Sequence, residues 1–470
     1  MEYSFDSYRD RVLSIFGDCG DIVCREGGND SARFAIIFLK GLNDRNYVAE
    51  TIIRPLIQSG LYEFNGNYGE ILECNFLTNA DTPEKSAEDI AKGDLLILSE
   101  SKNGFFKAVS NAQVAPSRGI TEPGSDVTLR GPKAGFVENA ELNVTMLRRI
   151  IRTPDLKFRF FTLGSVSRTS VILTYVNNRA SKRFVEELSA RIKRLEASVI
   201  TDSTNVVMLL GGRRTSLFPS YGSTEKVDKA ASKLMAGRVG IIVDGSPFVV
   251  TLPFLFIEGL QAADDYLHTP FYSTFIRLLR LFGFFAAIFA PSILCAVISN
   301  DWTAMPKEFY GIIDESRKDI PVTFFWEIMA VLLLFEILRE VGVRMPRTVG
   351  DAVGIVGSII LGNTAVEAGI VSSVGVITVA FSAVCAFITP AYMYVIVLSR
   401  ISALVLTEIF GFWGLGLSIG GLILLLARTK SFGVPYLTPI LPFSKSGIQD
   451  SVLAIPKKTL GRRERLGKRK

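Results

Sequence analysis

Along this chain the spacing of apolar positions changes character once. Up to about residue 245, short apolar runs alternate with charged ones; from Leu281 to Ala427 the runs are long and mostly uncharged. In the first part, "RFAIIFLKGLNDRNYVAETIIRPLIQ" reads as a strand at Phe34 to Leu39, a turn, then a helix starting near Asn43 or Asp44. Further on, "NVTMLRRIIRTPDLKFRFFTLGSVSRTSVILTYVNNRASKRFVEELSARIKRLEA" reads as helix, strand, strand, helix. Elements alternating in this way imply α/β layers. Pro116, Pro123, Gly124 and Pro132 cluster between the two parts and mark a linker.

Two segments share one plan. Pro83 to Val109 and Val227 to Pro253 each offer an Ala/Lys-rich helix, a glycine stop (Gly93, Gly237) and a short apolar strand. An acidic turn residue (Glu100, Asp244) and a second strand follow. Glycine after the last helical turn supplies the left-handed cap that both copies need. The pattern reads as two related subdomains, with chance convergence of short hairpins as the alternative.

"GRVGIIVDGSPFVVTLPFLFIEGLQAADDYLH" (Gly237 to His268) marks the seam. Its apolar run is too short for a hydrocarbon core that needs roughly 20 helical residues. Gly240 to Asp244 and Phe248 to Thr251 read as the last hairpin of the second subdomain, and the rest as delivery to a membrane surface. Beyond it, Leu281 to Asn300, Ala368 to Ser399 and Ile409 to Ala427 are each long enough to span. Arg277 and Arg280 precede the first span and "REVGVRMPR" follows the second. After Ala427 the tail carries eleven Lys and Arg against Asp450 and Glu464. All three regions are expected on the cytoplasmic side, and the loop from Ser299 to Ile320, with Trp302 and Tyr310, outside. Both termini inside demands an even number of crossings, so Ala352 to Asn363 is read as a short or re-entrant helix and four full spans remain.

The fold class expected is an α/β cytoplasmic N-terminal region of two related subdomains, followed by an α-helical polytopic membrane domain. Its parts are subdomain 1 (1–115), a linker (116–135), subdomain 2 (136–253) and an interfacial segment (254–280). The membrane domain (281–427) and a basic cytoplasmic tail (428–470) complete the chain.

Composition agrees: 470 residues, 48% apolar, net charge +6 and a mean hydropathy of +0.32. No cleavable signal peptide is expected, because the first residues are acidic and lack an apolar centre. The one histidine, His268, and the spacing of Cys19, Cys24, Cys74, Cys295 and Cys385 argue against a catalytic triad or metal site. Cys19 and Cys24 are read as reduced thiols rather than a disulfide. "GGRR" (Gly211 to Arg214) lacks the lysine-serine of a phosphate loop. No enzyme activity, cofactor, metal or nucleic-acid partner is expected; membrane lipid is.

Charges within or beside the spans are the functional candidates: Glu327, Glu336, Arg339, Glu340, Glu367 and Glu408. Glu336 and Glu340 share a helix face with Arg339 near enough to pair, while Glu327 points nearly the opposite way. Structural pairing at a membrane boundary is the other reading. Gly416 and Gly420 have the spacing that lets helices approach closely, within the chain or between copies.

The stretches "GRVGIIVDGSPFVVTLP", "FEILREVGVRMPRTVGDAVGIVGSIILGNTAVEAGIVS" and "TKSFGVPYLTPILP", with the upstream "RGPKAGFVENAELNVTMLRRIIRTPDLKF", resemble the GerA family of spore germination proteins. Specifically they resemble the A subunit of nutrient germinant receptors, over roughly residues 30 to 442. The N-terminus is shorter than in many members. The resemblance implies a forespore inner-membrane protein working with a transporter-like B subunit, which would bind the nutrient, and a lipoprotein C subunit. It also implies a homo-oligomer, a pentameric ring forming a ligand-gated ion channel that releases cations as germination starts. A SpoVAF-like accessory branch shares these motifs. A non-conducting scaffold or secondary-transporter-like protein is the other class, although the membrane half shows no inverted repeat. For a channel, Val353, Val356, Ile360 and Asn363 fall on one helical face and would form an apolar constriction with a polar ring. Glu336 and Glu340 would favour cations at its cytoplasmic mouth.

Overall fold

Phe5, Tyr8, Val12 and Phe16 recur every three or four residues and are buried along one face of α1 (Phe5–Phe16), which stops at Gly17 with φ of 54°. The structure, a computed structural model, describes residues 3–442 apart from 30–31, 44, 59–67, 69–71, 73–76, 112–131, 133, 212–215, 263–264, 266–267, 301–306, 319 and 345–361. Its described residues divide into two units: 3–211 with 220–254, and 255–442 with 216–219.

The first unit contains one pattern twice. After α1 come β1 (Ile22–Asn29) and β2 (Ala32–Leu39), then a helical stretch (Arg45–Tyr47, Val48–Ile53 and Arg54–Gln58) whose middle part is π-helical. β3 (Leu77–Asn79), α2 (Pro83–Lys92), β4 (Asp94–Ser101) and β5 (Gly104–Asn111) complete the copy. The second copy runs α3 (Ala140–Ile150), β6 (Leu156–Leu163), β7 (Thr169–Val176), α4 (Lys182–Lys193), α5 (Ser203–Leu209), β8 (Gly222–Thr224), α6 (Val227–Met235), β9 (Val239–Val243) and β10 (Val249–Leu252). The sheet orders are β1-β2-β4-β5-β3 and β6-β7-β9-β10-β8, antiparallel throughout. Position for position these are the same topology, so the likeness extends from the helix and hairpin to the whole five-stranded sheet. Gly93 and Gly237 both take positive φ, 111° and 91°, after α2 and α6.

Glu100 is a correction. It lies inside β4, opposite Phe105, and the turn is Lys102 and Asn103. Its carboxylate accepts from Arg33 Nε at 2.7 Å. Asp244 does occupy a turn, and there it accepts from the Ala140 N–H at 3.0 Å, at the start of α3.

Alternate residues of the first sheet enter different cores. Ala35, Ile37, Leu96 and Leu98 join one, while Phe34, Ile36, Leu95 and Ile97 pack with Val48, Ile52 and Leu56 in another. A strand covered on both faces reads as a continuous apolar run, as "RFAIIFL" does. The first of these cores also holds Leu147, Phe158 and Ile172 of the second copy, so the copies share an interior. Only 132, 134 and 135 of the expected linker are described, and Gly135 bridges to Lys226.

The second unit is helical. A 3₁₀ turn (Phe256–Leu260) precedes α7 (Pro270–Asn300), α8 (Lys307–Arg317), α9 (Phe324–Arg344), α10 (Ser373–Phe387), α11 (Met393–Phe410) and α12 (Phe412–Arg428). A small hairpin of β11 (Lys430–Ser431) and β12 (Val434–Pro435) follows. α7 begins earlier than the apolar pattern alone suggests, so Arg277 and Arg280 lie inside it. Its 31 residues extend about 46 Å at ~1.5 Å per residue. The run from Ala368 to Ser399 is two helices, not one span: the chain breaks at Thr389 and Pro390, because proline has no N–H to continue the ladder and pushes its predecessor out of helical geometry. Among the described residues, two helices, Pro270–Ser299 and Pro390–Phe410, are long and apolar enough to cross a membrane; Ser373–Phe387 and Phe412–Arg428 are shorter apolar helices. Residues 352–361 of the expected re-entrant segment lie outside the described residues, and 362–367 are helical.

Candidate functional site

α7 packs against α9, α10, α11 and α12, and its weak point is Pro291, inside the helix. Proline supplies no N–H to the carbonyl of Ala287, one turn back. Ser382 Oγ, on α10, donates to that carbonyl at 2.6 Å. The same hydroxyl accepts from Arg400 Nη1 on α11 at 2.9 Å. Arg400 Nη2 in turn donates to Glu336 Oε1 on α9 at 2.6 Å. Arg339 Nη2 lies 2.5 Å from Glu336 Oε2, a charge contact without the alignment of a hydrogen bond. Five side chains and backbone groups on four helices thus form one continuous polar chain. Two arginines share one carboxylate, and the Arg400 side chain is 1% exposed. A buried arginine without a partner would be strongly destabilising, so Glu336 is what makes Arg400 tolerable there.

The other charges fall in three different settings. Glu327 is buried near the start of α9, where its Oε1 accepts from the Ser372 N–H at 2.8 Å and from the Ser372 hydroxyl. Arg317 Nε approaches its other oxygen at 3.3 Å. Ser372 caps α10, so Glu327 anchors that helix at its electropositive end. Its neighbours differ from those of Glu336, as the spacing on α9 implies. Glu340 is exposed and pairs with Arg344 at 2.7 Å, whereas Arg339 takes Glu336. Glu367 and Glu408 are exposed, and Glu408 comes within 3.9 Å of the Cys295 thiol. Val353, Val356 and Ile360 lie outside the described residues; Asn363 is exposed on the helical stretch 362–367.

Arg400 escapes a reading that follows carboxylates. Its signal is the single cation in "MYVIVLSRISALVLTEIF", a position where a charge persists only with a partner.

One stretch that carries the family resemblance, "TKSFGVPYLTPILP", brings Tyr436 to an aromatic cluster in the helical unit. Phe256, Phe284, Tyr392 and Tyr436 cluster with ring centroids 5.3 to 6.3 Å apart. The Tyr392 hydroxyl donates to the Phe256 carbonyl, and the Phe256 N–H donates to the Tyr436 carbonyl at 3.0 Å. Gly259 is required beside them, since a Cβ there would overlap the Tyr392 ring.

The first unit holds a second buried charge pair, where its two copies join. Arg148 on α3 gives Nε to Asp21 Oδ2 at 2.9 Å and Nη2 to Asp21 Oδ1 at 3.1 Å. Cys19 donates its S–H to Asp21 Oδ1 at 2.9 Å and accepts from Arg148 Nη2 at 3.0 Å. Burial, and then the Asp21 charge, push the Cys19 thiol up to about 11. Lys157 Nζ closes the C-terminus of α1 by donating to the Ile15 and Phe16 carbonyls at 2.7 and 2.5 Å. Cys19, Cys24, Cys295 and Cys385 are free thiols. Among the described residues no three His, Cys, Asp or Glu side chains converge as metal ligands would.

Comparison with known proteins supplies what these contacts cannot. The family model described as Bacillus/Clostridium GerA spore germination protein matches residues 10–466. Spore germination protein KA of Bacillus subtilis (strain 168) is 34% identical over 449 residues, covering 94% of this chain and 82% of that protein. Uncharacterized membrane protein YfkQ of the same organism is 30% identical over 452 residues, 95% of this chain and 88% of its own. Spore germination protein GerLA of Bacillus cereus is 28% identical over 462 residues, 96% and 92%. Among solved structures, the N-terminal domain of the A subunit of the Bacillus megaterium spore germinant receptor GerK3 is similar at 25% identity. Its TM-score is 0.42, with 55% of this chain and 97% of that chain covered. The chain belongs to the GerA family of spore germination proteins.

Proposed function

We propose that this chain is the membrane-embedded A subunit of a spore germinant receptor, and that copies of it assemble into a ring that passes cations when nutrient is sensed. In this reading it works beside a transporter-like B subunit and a lipoprotein C subunit in the spore inner membrane, with both termini on the core side. It performs no catalysis. The observation that supports it best is the outer surface of the helical unit. Trp413, Tyr394, Val343, Ile377 and Ile337 are between 61% and 84% exposed. Apolar side chains so exposed in a single chain call for lipid or for neighbouring copies. The family's named relatives supply the link to germination.

A second reading has an observation of its own. Glu336 and Glu327 are engaged with Arg339, Arg400, Arg317 and Ser372 inside the bundle. That favours a non-conducting scaffold or signal transducer, secondary-transporter-like or accessory, whose charges only pack. The mass of the purified full-length chain in detergent separates the two: a closed ring of about five subunits supports the channel, and a monomer excludes a shared pore.

A further inference from the structure

The series Glu336, Arg400, Ser382, Ala287 links four helices of the second unit. It starts on α9, crosses α11 and α10, and ends at the backbone of α7 where Pro291 interrupts the helix. We propose that this series is a latch on a hinge: Glu336 sets the stiffness of α7 at Pro291, and losing the Glu336–Arg400 pair frees the helix to bend there.

Each link follows from the donor and acceptor inventory. Pro291 cannot donate, so the Ala287 carbonyl needs another partner in a packed interior. Ala287 is fully buried, as are Ser382 and Thr389 nearby in sequence on α10's side. A serine hydroxyl has one hydrogen, and here that hydrogen points to Ala287 because the oxygen is accepting from Arg400. Without Arg400 the hydroxyl can rotate, and the carbonyl loses a fixed donor. Among the described residues, Glu336 is the one charged partner of Arg400, whose Nε has none. Apart from Glu336, the polar contact that holds the guanidinium is the one to Ser382. Arg339 competes for the same carboxylate from one turn along α9. Glu336 is shared, and a shift toward Arg339 loosens Arg400. Sharp bends in helices concentrate at proline, so the place where the series ends is also where α7 bends most readily. The inference does not depend on conduction; a chain that passed no ions would show the same coupling.

The test uses the full-length protein in detergent and hydrogen exchange of the backbone amides of α7. Ser382→Ala removes the donor and leaves the Ala287 carbonyl unfilled. Pro291→Ala restores an N–H that fills that carbonyl from within the helix. Ser382→Ala should speed exchange on either side of Pro291 by about tenfold, the loss of one buried hydrogen bond. In the Pro291→Ala background the same substitution should change it little. Glu336→Gln, which acts through Arg400 and also leaves two arginines without a counter-charge, should speed exchange beside Pro291 more than along the rest of α7, and that local excess should disappear in the Pro291→Ala background. If Ser382→Ala alone does not fold, the proposal requires that the double variant with Pro291→Ala does. Equal effects of Ser382→Ala in the two backgrounds, no effect in either, or failure of both proteins to fold would overturn it.

Discussion

Arg400 Nη2 lies 2.6 Å from Glu336 Oε1, and this contact joins α11 to α9 through an arginine that is 1% exposed. The two residues are 64 positions apart. Arg400 is not tolerable in a bundle interior without Glu336, which also pairs with Arg339, and a partner this distant in sequence fixes how two helices face each other. Removing the carboxylate is the harsher change, because it leaves Arg400 and Arg339 close together with no counter-charge.

Glu336→Ala should therefore cost about 3–5 kcal/mol, and replacing Glu336 and Arg400 together with methionine should cost clearly less. Thermal unfolding of the detergent-solubilised chain checks the order. A double variant no more stable than Glu336→Ala would show that the pair is not what holds these helices.

The buried Cys19 thiol gives a pH signature in the first unit. Its pKa is raised from an ordinary 9.0 to about 11, chiefly by burial. A thiol that holds its proton more tightly when folded contributes stability that is fully present below pH 9 and lost as pH climbs through about 11. Wild-type stability should fall across that window, and Cys19→Ala should flatten the fall. Alkylation of Cys19 in the folded protein at pH 8 as fast as in the unfolded protein would contradict the assignment.

Strands were legible in the sequence wherever their apolar pattern and bounding turns were both present, as at Phe34 to Leu39. The duplication was legible only as a helix and hairpin, because glycine stops and short apolar strands survive divergence there. The shared five-strand order depends on pairings such as β2 with β4 that no local pattern records. Hydropathy merged α10 and α11 into one run, since neither Thr389 nor Pro390 is charged and the break is made by backbone chemistry. Glu100 misled because an acidic residue near a turn resembles one within it. Arg400 was missed for a different reason: its partner is on another helix, and nothing at its own position reveals which.

Gly416 and Gly420 are exposed on α12, and a Cβ added to either meets no atom within 4 Å. Within one chain leucine at both positions should be harmless, and even helix-favouring by roughly 1 kcal/mol each. In a ring that packs through this face, the substitutions should lower the oligomer's mass by light scattering while thermal unfolding of the subunit is unchanged. By contrast Gly414→Ala should be damaging in the monomer itself, because its Cβ would overlap the Leu406 carbonyl. Unchanged mass with Gly416→Leu and Gly420→Leu would place the subunit contact elsewhere.

Cation efflux from liposomes containing the purified full-length chain measures conduction most directly, with Val353→Ala and Val356→Ala compared against the wild type. Valine side chains on a common axis would hold a narrow, dewetted constriction closed, and trimming them would let water and ions through. The expected result is a closed wild type, and variants that leak rubidium or potassium without nutrient while keeping the wild-type oligomeric mass. Variants that assemble normally and retain their cations as well as the wild type would contradict a pore at this segment. If nutrient with the B and C subunits also released no cations through the wild-type chain, the non-conducting reading would replace the channel.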